Sequence, residues 1–385
     1  MTTVLTERIG FEIELLAPAG ADRRTLADHV SREQGGSVGR FFHTDSEPSL
    51  VPGMGHFWHL TPGFTARDES GQPLASFVDD ITIVDDLRRE LPMPRAAVVP
   101  GRHAADPRGG PDRHSYRILS DDGRLLRLVA DRTHPDTPFG RVLDDVAVLF
   151  GTSVETVGAV RRLRDRAGAS IAMATTLAAG RERPTEIVTP PLTRDHEAAL
   201  ETLLRPAREL GFTVPVEAAV HLHFDGAPYR SVEAFSNLVR LFGHWRDALR
   251  VALATNPACT RLRALPPALL DLVEKREEVD VSESERWSRL QATAKATGLT
   301  KYFDINVTPL LTDKPPRDTV EVRILPGSLD ATDIIRRAAF VEALLARCRQ
   351  ADPIPRPTHA DPVAAAEELR ELAGFTPSNE SAAAR

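Results

Sequence analysis

The sequence predicts an α+β fold: a mainly antiparallel sheet with helices packed on its outer face and an open polar face opposite. Strand-like and helix-like segments interleave along the 385 residues. Tyr116 to Leu119 and Leu125 to Val129 flank Asp121-Asp122-Gly123, an Asp-Gly turn signal of the kind that joins antiparallel strands. Three remote segments alternate apolar residues with ionisable ones: Phe11-Glu12-Ile13-Glu14-Leu15, Val220-His221-Leu222-His223-Phe224 and Val320-Glu321-Val322-Arg323-Ile324. Side chains two apart on a strand share a face, so each segment would show one apolar face and one face of metal-capable or anion-capable groups.

The elements follow in order. A strand from Arg8 to Leu15 runs through a Pro-Ala-Gly loop into a helix near Arg24 to Glu33. Residues 41–64 are rich in Gly, Pro and His and read as loop with short strands, and Ile81 to Arg89 as strand and then helix. The Gly- and Pro-laden stretch between Pro100 and Pro111 reads as an exposed loop. Ser153 is placed to cap a helix carrying Val154, Val157, Val160 and Leu163. Ile171 to Leu177 and Glu186 to Thr189 resemble strands. A helix from Asp195 to Leu210, kinked by Pro206, ends at Gly211, and another after Ser231 aligns Phe235, Leu238, Val239, Phe242 and Trp245 as core. Residues 262–297 read as helical or irregular chain. Strands at Tyr302 to Val307 and Val320 to Leu325 precede helices at Thr332 to Arg349 and Pro362 to Leu372. This gives one domain over 1–375, with 43–180 as a divergent insert or lid, and a disordered polar tail at 376–385. No period of 20 to 50 residues recurs, which excludes a solenoid.

Composition narrows the function. With 42% hydrophobic residues, 27% charged and a net charge of −7, the chain reads as an ordinary soluble protein with a substantial core. Its arginines are scattered, which argues against nucleic-acid binding. No apolar run approaches the ~20 residues of a membrane span, and a secretory leader pattern is missing, so the cytoplasm is the expected compartment. Cys259 and Cys348 lack metal-binding spacing; Cys348 follows Val341, Leu344 and Leu345 at helical spacing, as a core thiol does.

The alternating strands carry the chemistry. Two carboxylates about 4 Å apart repel by roughly 4 kcal/mol at an effective dielectric near 20, which a divalent cation between them would relieve. Glu12→Gln or Glu321→Gln is then expected to leave the metal-free fold intact or slightly more stable. No Lys or Arg follows Glu12 and Glu14 nearby in sequence, His221 and His223 offer imidazoles from one face, and Arg323 can fork onto a carboxylate or phosphate. The separate readings are a solvated sheet face, structural histidines and a Glu-Arg ladder pair. Taken together, the donors suit Mg²⁺ or Mn²⁺ holding a polyphosphate. Neither GxxxxGK[ST] nor a GxGxxG after a strand occurs, so metals and strand side chains would have to hold any ATP. His43, Asp45 and Glu47 alternate as well and read as a solvated loop.

In order along the chain, Gly10-Phe11-Glu12-Ile13-Glu14, Thr185-Glu186-Ile187-Val188-Thr189-Pro190-Pro191-Leu192, His221-Leu222-His223 and Val320-Glu321-Val322-Arg323-Ile324-Leu325-Pro326 resemble the amidoligase branch of the carboxylate–amine ligases. These are related to glutamate–cysteine ligase and, more distantly, to glutamine synthetase. The resemblance implies an antiparallel sheet forming an active-site funnel in which Mg²⁺ ions hold ATP. It implies Glu12, Glu14, Glu186, His221 and Glu321 as metal ligands, with Glu14, His223 and Arg323 near the nucleotide. Arg323 and Asn306 would meet the substrate. Asp122, in Ser120-Asp121-Asp122-Gly123, resembles the Asp of the family's Asp-Gly-Ser element, although Arg124 replaces the Ser. The partners implied are a small-molecule or peptide carboxylate and an amine, joined through an acyl phosphate; the oligomeric state and the general base stay open. Three other readings remain: a zinc-dependent hydrolase using His221 and His223, a phosphotransferase forming no amide, and a non-catalytic peptide-binding homologue.

Overall fold

The computed structural model describes residues 4–44, 48–51, 55–80, 115–177, 181–260, 262–275, 281–315 and 317–375. The strand and helix expected over 81–89, the loop at 100–111, Asp45, Glu47 and the tail at 376–385 lie outside these. In chain order the strands are β1 (Ile9–Leu16), β2 (Val38–Thr44), β3 (Ser49–Val51), β4 (Gly55–Arg67), β5 (Pro73–Val78), β6 (Tyr116–Ser120), β7 (Val154–Val157), β8 (Val160–Arg164), β9 (Ser170–Thr176), β10 (Pro184–Val188), β11 (Ala219–Asp225), β12 (Ile305–Asn306) and β13 (Thr319–Pro326). The helices are α1 (Arg23–Glu33), α2 (Gly123–Arg132), α3 (Asp144–Leu149), α4 (His196–Glu209), α5 (Val232–His244), α6 (Arg246–Ala252), α7 (Pro267–Glu274), α8 (Glu283–Lys295), α9 (Ala331–Cys348) and α10 (Pro362–Leu372). The fold is α+β with antiparallel strand pairing, as the sequence predicts.

The chain forms two compact units. The first comprises Met1–Glu14, Thr189–Arg205 and Val214–Arg385; the second comprises Leu15–Val188 and Pro206–Thr213 and so takes in the whole of 43–180. In the first unit, strands run in the order β12-β13-β11-β1. Ile9, Phe11 and Ile13 of β1, Val220, Leu222 and Phe224 of β11 and Val320, Val322 and Ile324 of β13 are all buried. Each contributes about 1.5–3 kcal/mol of hydrophobic stabilisation, which fixes the strand register and forces the alternate residues onto the other face. Around them α5 buries Phe235, Leu238, Val239 and Phe242, and α9 buries Ile334, Ile335, Val341, Leu344 and Leu345. Buried Asn237 ties the two together: its Nδ2 donates to the Cys348, Gln350 and Asp352 carbonyls, and its Oδ1 accepts from Ile354 N–H.

In the second unit, strands run β10-β5-β4-β6-β9-β8-β7, with β2 and β3 also paired to β4. Three expectations change here. The segment after Asp121-Asp122-Gly123 is not a strand but α2: Leu126 and Val129 recur at helical spacing and are buried, and Asp122 caps the helix by accepting from Arg124 N–H. The stretch from Val154 to Leu163 is a hairpin instead of a helix. Its β-branched residues pair Val157 with Val160, and Gly158 takes φ +60 in the two-residue turn. Residues 41–64 hold the long strands β2 and β4, not mostly loop.

Candidate active site

The register of the first unit assembles the ligating groups. Glu12 on β1 lies opposite His221 on β11; His223 lies opposite both Gly10 on β1 and Glu321 on β13; Asn306 on β12 lies opposite Glu321. Directly opposed residues share a face, so these groups project together. Between β11 and β13 the register shifts by one: Val220 pairs with Leu325 and Leu222 with Val322, leaving Arg323 and Ile324 across from His221. This bulge sits where Arg323 must reach the site, and Asp304 anchors it by accepting Arg323 N–H at 3.0 Å. The Asp304 carboxylate is gripped in turn by Arg246 at 2.6 Å and Arg250 at 3.0 Å.

The side chains converge closely. One donor atom each from Glu12, His221 and Glu321 lie within 4.8 Å of one another. His221 Nδ1 is 3.3 Å from Glu12 Oε2 and 3.7 Å from Glu321 Oε1, while its Nε2 is 3.6 Å from Glu14 Oε1. His223 Nε2 is 3.2 Å from Glu12 Oε1 but off the hydrogen-bonding direction, and His223 Nδ1 meets Thr319 Oγ1 at 3.3 Å. The second Glu14 oxygen accepts Ala219 N–H at 2.8 Å. Asn306 Nδ2 donates to Glu321 Oε2 at 2.9 Å, and its Oδ1 accepts from Thr308 N–H and Oγ1–H.

The polar face is not open at these positions: Glu14 and His221 are 3% exposed and Glu321 6%. Nor are the carboxylates left to repel. Arg323 pairs with Glu321, and Arg317, which is distant in sequence, pairs with Glu12 at 2.8 Å. The expectation that a divalent cation relieves the carboxylate repulsion is therefore corrected for the metal-free protein, because guanidiniums already pair with Glu12 and Glu321. Arg317 is the residue missed by reading the strand only from Val320. Counting back by twos from Arg323 through Glu321 and Thr319 reaches Arg317, so the period-2 signal was present.

The electrostatics separate the two histidines. Burial, with the Arg323 guanidinium behind it, pushes the His221 imidazole down to about 4, against the upward pull of Glu12 and Glu321, so it is neutral at pH 7. Burial also pulls His223 down, but contact with Glu12 more than reverses this and raises it. Burial pushes Glu12 upward, and the two imidazoles outweigh it and hold the carboxyl well below the usual range. Burial likewise raises Glu321, whereas Arg323 and the histidines carry it below. A neutral imidazole among ionised carboxylates fits a hard divalent cation.

The remaining candidates lie elsewhere. Glu186 is half-buried on β10 of the second unit, opposite Val78. Asp122 is also in that unit, and Arg124 engages its carboxylate through both Nε and Nη2. His43 is half-buried on β2. No helix among the described residues is long and apolar enough to cross a membrane. Compared with known families, residues 5–345 match the one described as "Putative amidoligase enzyme", a span that runs through 43–180. No curated protein matches the chain.

Proposed function

The chain belongs to the amidoligase family, and from that premise we propose that it is an ATP-dependent carboxylate–amine ligase that forms an amide through an acyl phosphate. Its catalytic domain spans 1–375 and is of the glutamate–cysteine ligase and glutamine synthetase kind. The observation that carries this reading is the convergence of Glu12, His221 and Glu321 beside Arg323 and Asn306 in the first unit. Carboxylates with one imidazole suit Mg²⁺ or Mn²⁺ better than a zinc site of several soft or nitrogen donors, which favours the ligase over the hydrolase.

Glu12, His221 and Glu321 are assigned as metal ligands, with Glu14 beside His221 completing the set. When bound, the metal supplies charge neutralisation on the triphosphate oxygens. Arg323 orients the substrate carboxylate: its Nε is buried and unpartnered, and a guanidinium fork holds a planar carboxylate in one orientation. The attacked carboxyl carbon gains an oxyanion when the amine adds, and the same guanidinium stabilises it as phosphate leaves. His223, raised by Glu12, donates to a nucleotide phosphate oxygen. Asn306 holds the Glu321 carboxylate in one rotamer while Thr308 holds Asn306, so the ligand is oriented before anything binds. Arg317 must leave Glu12 Oε1 to free that oxygen, and its 63% side-chain exposure gives it room to do so.

The test is ADP release from the purified protein with Mg²⁺ and ATP, screened against pooled acids and amines. Release should require both an acid and an amine, and hydroxylamine in place of the amine should yield a hydroxamate. Zinc-supported hydrolysis without ATP, or ADP release indifferent to the acid, would refute the ligase reading.

A further inference from the structure

The second unit contains a break in its hydrogen-bond ladder that is lined with charge. Leu60 and Phe64 of β4 pair with β2 on one edge, so β6, opposite Leu60, and β5, opposite Phe64, share the other edge end to end. Between them stands Pro62, which has no N–H to donate. Its carbonyl is taken by Arg23, with Nε at 3.0 Å and Nη2 at 2.9 Å. Three more groups come from the chain ends around the break: Asp79 just after β5, Arg117 near the start of β6, and Arg181 in the connection from β9 to β10. Arg117 Nη2 lies 2.6 Å from Asp79 Oδ2, and Asp79 is 2% exposed.

The cluster is incompletely satisfied. Asp79 Oδ1, Arg117 Nε and Arg181 Nη1 are buried and have no hydrogen-bond partner. Buried polar atoms are nearly always paired, so guanidinium donors and a carboxylate oxygen left over in one ionic cluster call for a ligand of matching pattern. Charge narrows it further. Arg23, Arg117 and Arg181 act on Asp79, with Asp80 also near Arg181, so cations outnumber carboxylates.

We infer that this break binds a small carboxylate bearing an amine or hydroxyl on the adjacent carbon, a free α-amino acid being the simplest. Its carboxylate accepts from Arg117 Nε and Arg181 Nη1, and its ammonium donates to Asp79 Oδ1. Inorganic phosphate would meet the two donors but bring further negative charge against Asp79 Oδ1. A bare amine would leave both guanidiniums unmet. The inference does not depend on the ligase reading, since these residues belong to the other unit and their test needs neither metal nor nucleotide.

The experiment uses metal-free full-length protein, with thermal unfolding and calorimetric titration against glycine, L-alanine and L-glutamate. Acetate, ethylamine and inorganic phosphate serve as half-ligand controls. At least one amino acid should raise the unfolding midpoint in a concentration-dependent way, as a ligand of the native state does, and the three controls should not. Arg181→Ala lies outside any strand or helix, and it should keep the circular dichroism spectrum while weakening amino-acid binding by about ten-fold or more. Asp79→Asn should weaken it too; if that variant does not fold, Arg181→Ala decides alone. No shift with any amino acid, unchanged affinity in Arg181→Ala, or equal binding of acetate would overturn the assignment.

Discussion

Both units bury ionised groups, but around His221 carboxylates outnumber guanidiniums, whereas around Asp79 guanidiniums outnumber carboxylates. The first arrangement stands on strand faces, with its carboxylates and imidazoles set by the alternation of β1, β11 and β13. The second stands where strands end, at a proline that interrupts the ladder. A cradle on strand faces is preorganised by register; one at strand ends depends on the ion pairs that close it. Substitutions should therefore affect metal-dependent function most in the first, whereas breaking a buried ion pair should cost stability in either.

The sharpest separation comes from Glu321→Gln. Loss of a direct ligand should lower Mg²⁺-dependent ADP release by more than about 100-fold, beyond the 10–100-fold typical of outer partners. Calorimetric titration with Mn²⁺ should show matching loss of binding. The metal-free variant should unfold at a lower temperature than wild type, because Arg323 loses a buried partner and breaking such a pair costs about 3–5 kcal/mol. This reverses the expectation drawn from carboxylate repulsion alone, and a stabilised variant would restore that view.

Asp79→Asn is the counterpart in the second unit. It should cost about 3–5 kcal/mol of stability by leaving Arg117 without its carboxylate. Burial raises Asp79, but Arg117, Arg23 and Arg181 outweigh it and hold the folded value below the usual carboxylate range. Because the folded value is depressed, the stabilisation is complete above the unfolded value near ~4 and is lost as pH falls through the folded one. Urea midpoints measured from neutral pH downward should show wild type and variant converging in acid; a constant gap would contradict the ionised pair.

Asn306→Ala tests whether preorganisation in the first unit is separable from ligation. The Glu321 carboxylate would lose its fixed partner while keeping its charge, so Mn²⁺ affinity should fall about 10–100-fold, with ADP release falling in parallel. Restoration by Asn306→Gln at wild-type affinity would argue against a fixed geometry.

The same contrast explains what was legible in the sequence. Glu12, His221, His223, Glu321 and Arg323 were found because period-2 alternation survives folding unchanged. Arg317 follows that period as well, but lies beyond the apolar residues that made the strand visible. Asp79, Arg117 and Arg181 carry no common period: the break that unites them arises from which edge of β4 each strand takes, a tertiary choice. The helix expected between Val154 and Leu163 failed for a local reason. Valines spaced by three also fit a two-residue hairpin when a Gly can take positive φ between them. Asp-Gly in the neighbouring segment misled in the opposite sense, since Asp is as good at capping a helix as at turning a hairpin.

Asp122 is where that ambiguity bears on chemistry. The resemblance puts it forward as a catalytic residue and a candidate general base, while its observed contacts are those of a helix cap whose carboxylate is already occupied by Arg124. Exposed contact with Arg124 holds the carboxyl down to about 2, the wrong direction for a base poised near neutrality. Asn caps a helix about as well as Asp but takes no proton, so Asp122→Asn divides the roles, whereas Asp122→Ala removes both and should cost roughly 0.5–2 kcal/mol. If capping is the whole role, Asp122→Asn should unfold within a few degrees of wild type and retain ADP release within about two-fold, with only Asp122→Ala losing stability. A fall of about 100-fold or more in the folded Asn variant, with Mn²⁺ affinity unchanged, would instead assign Asp122 the role of general base.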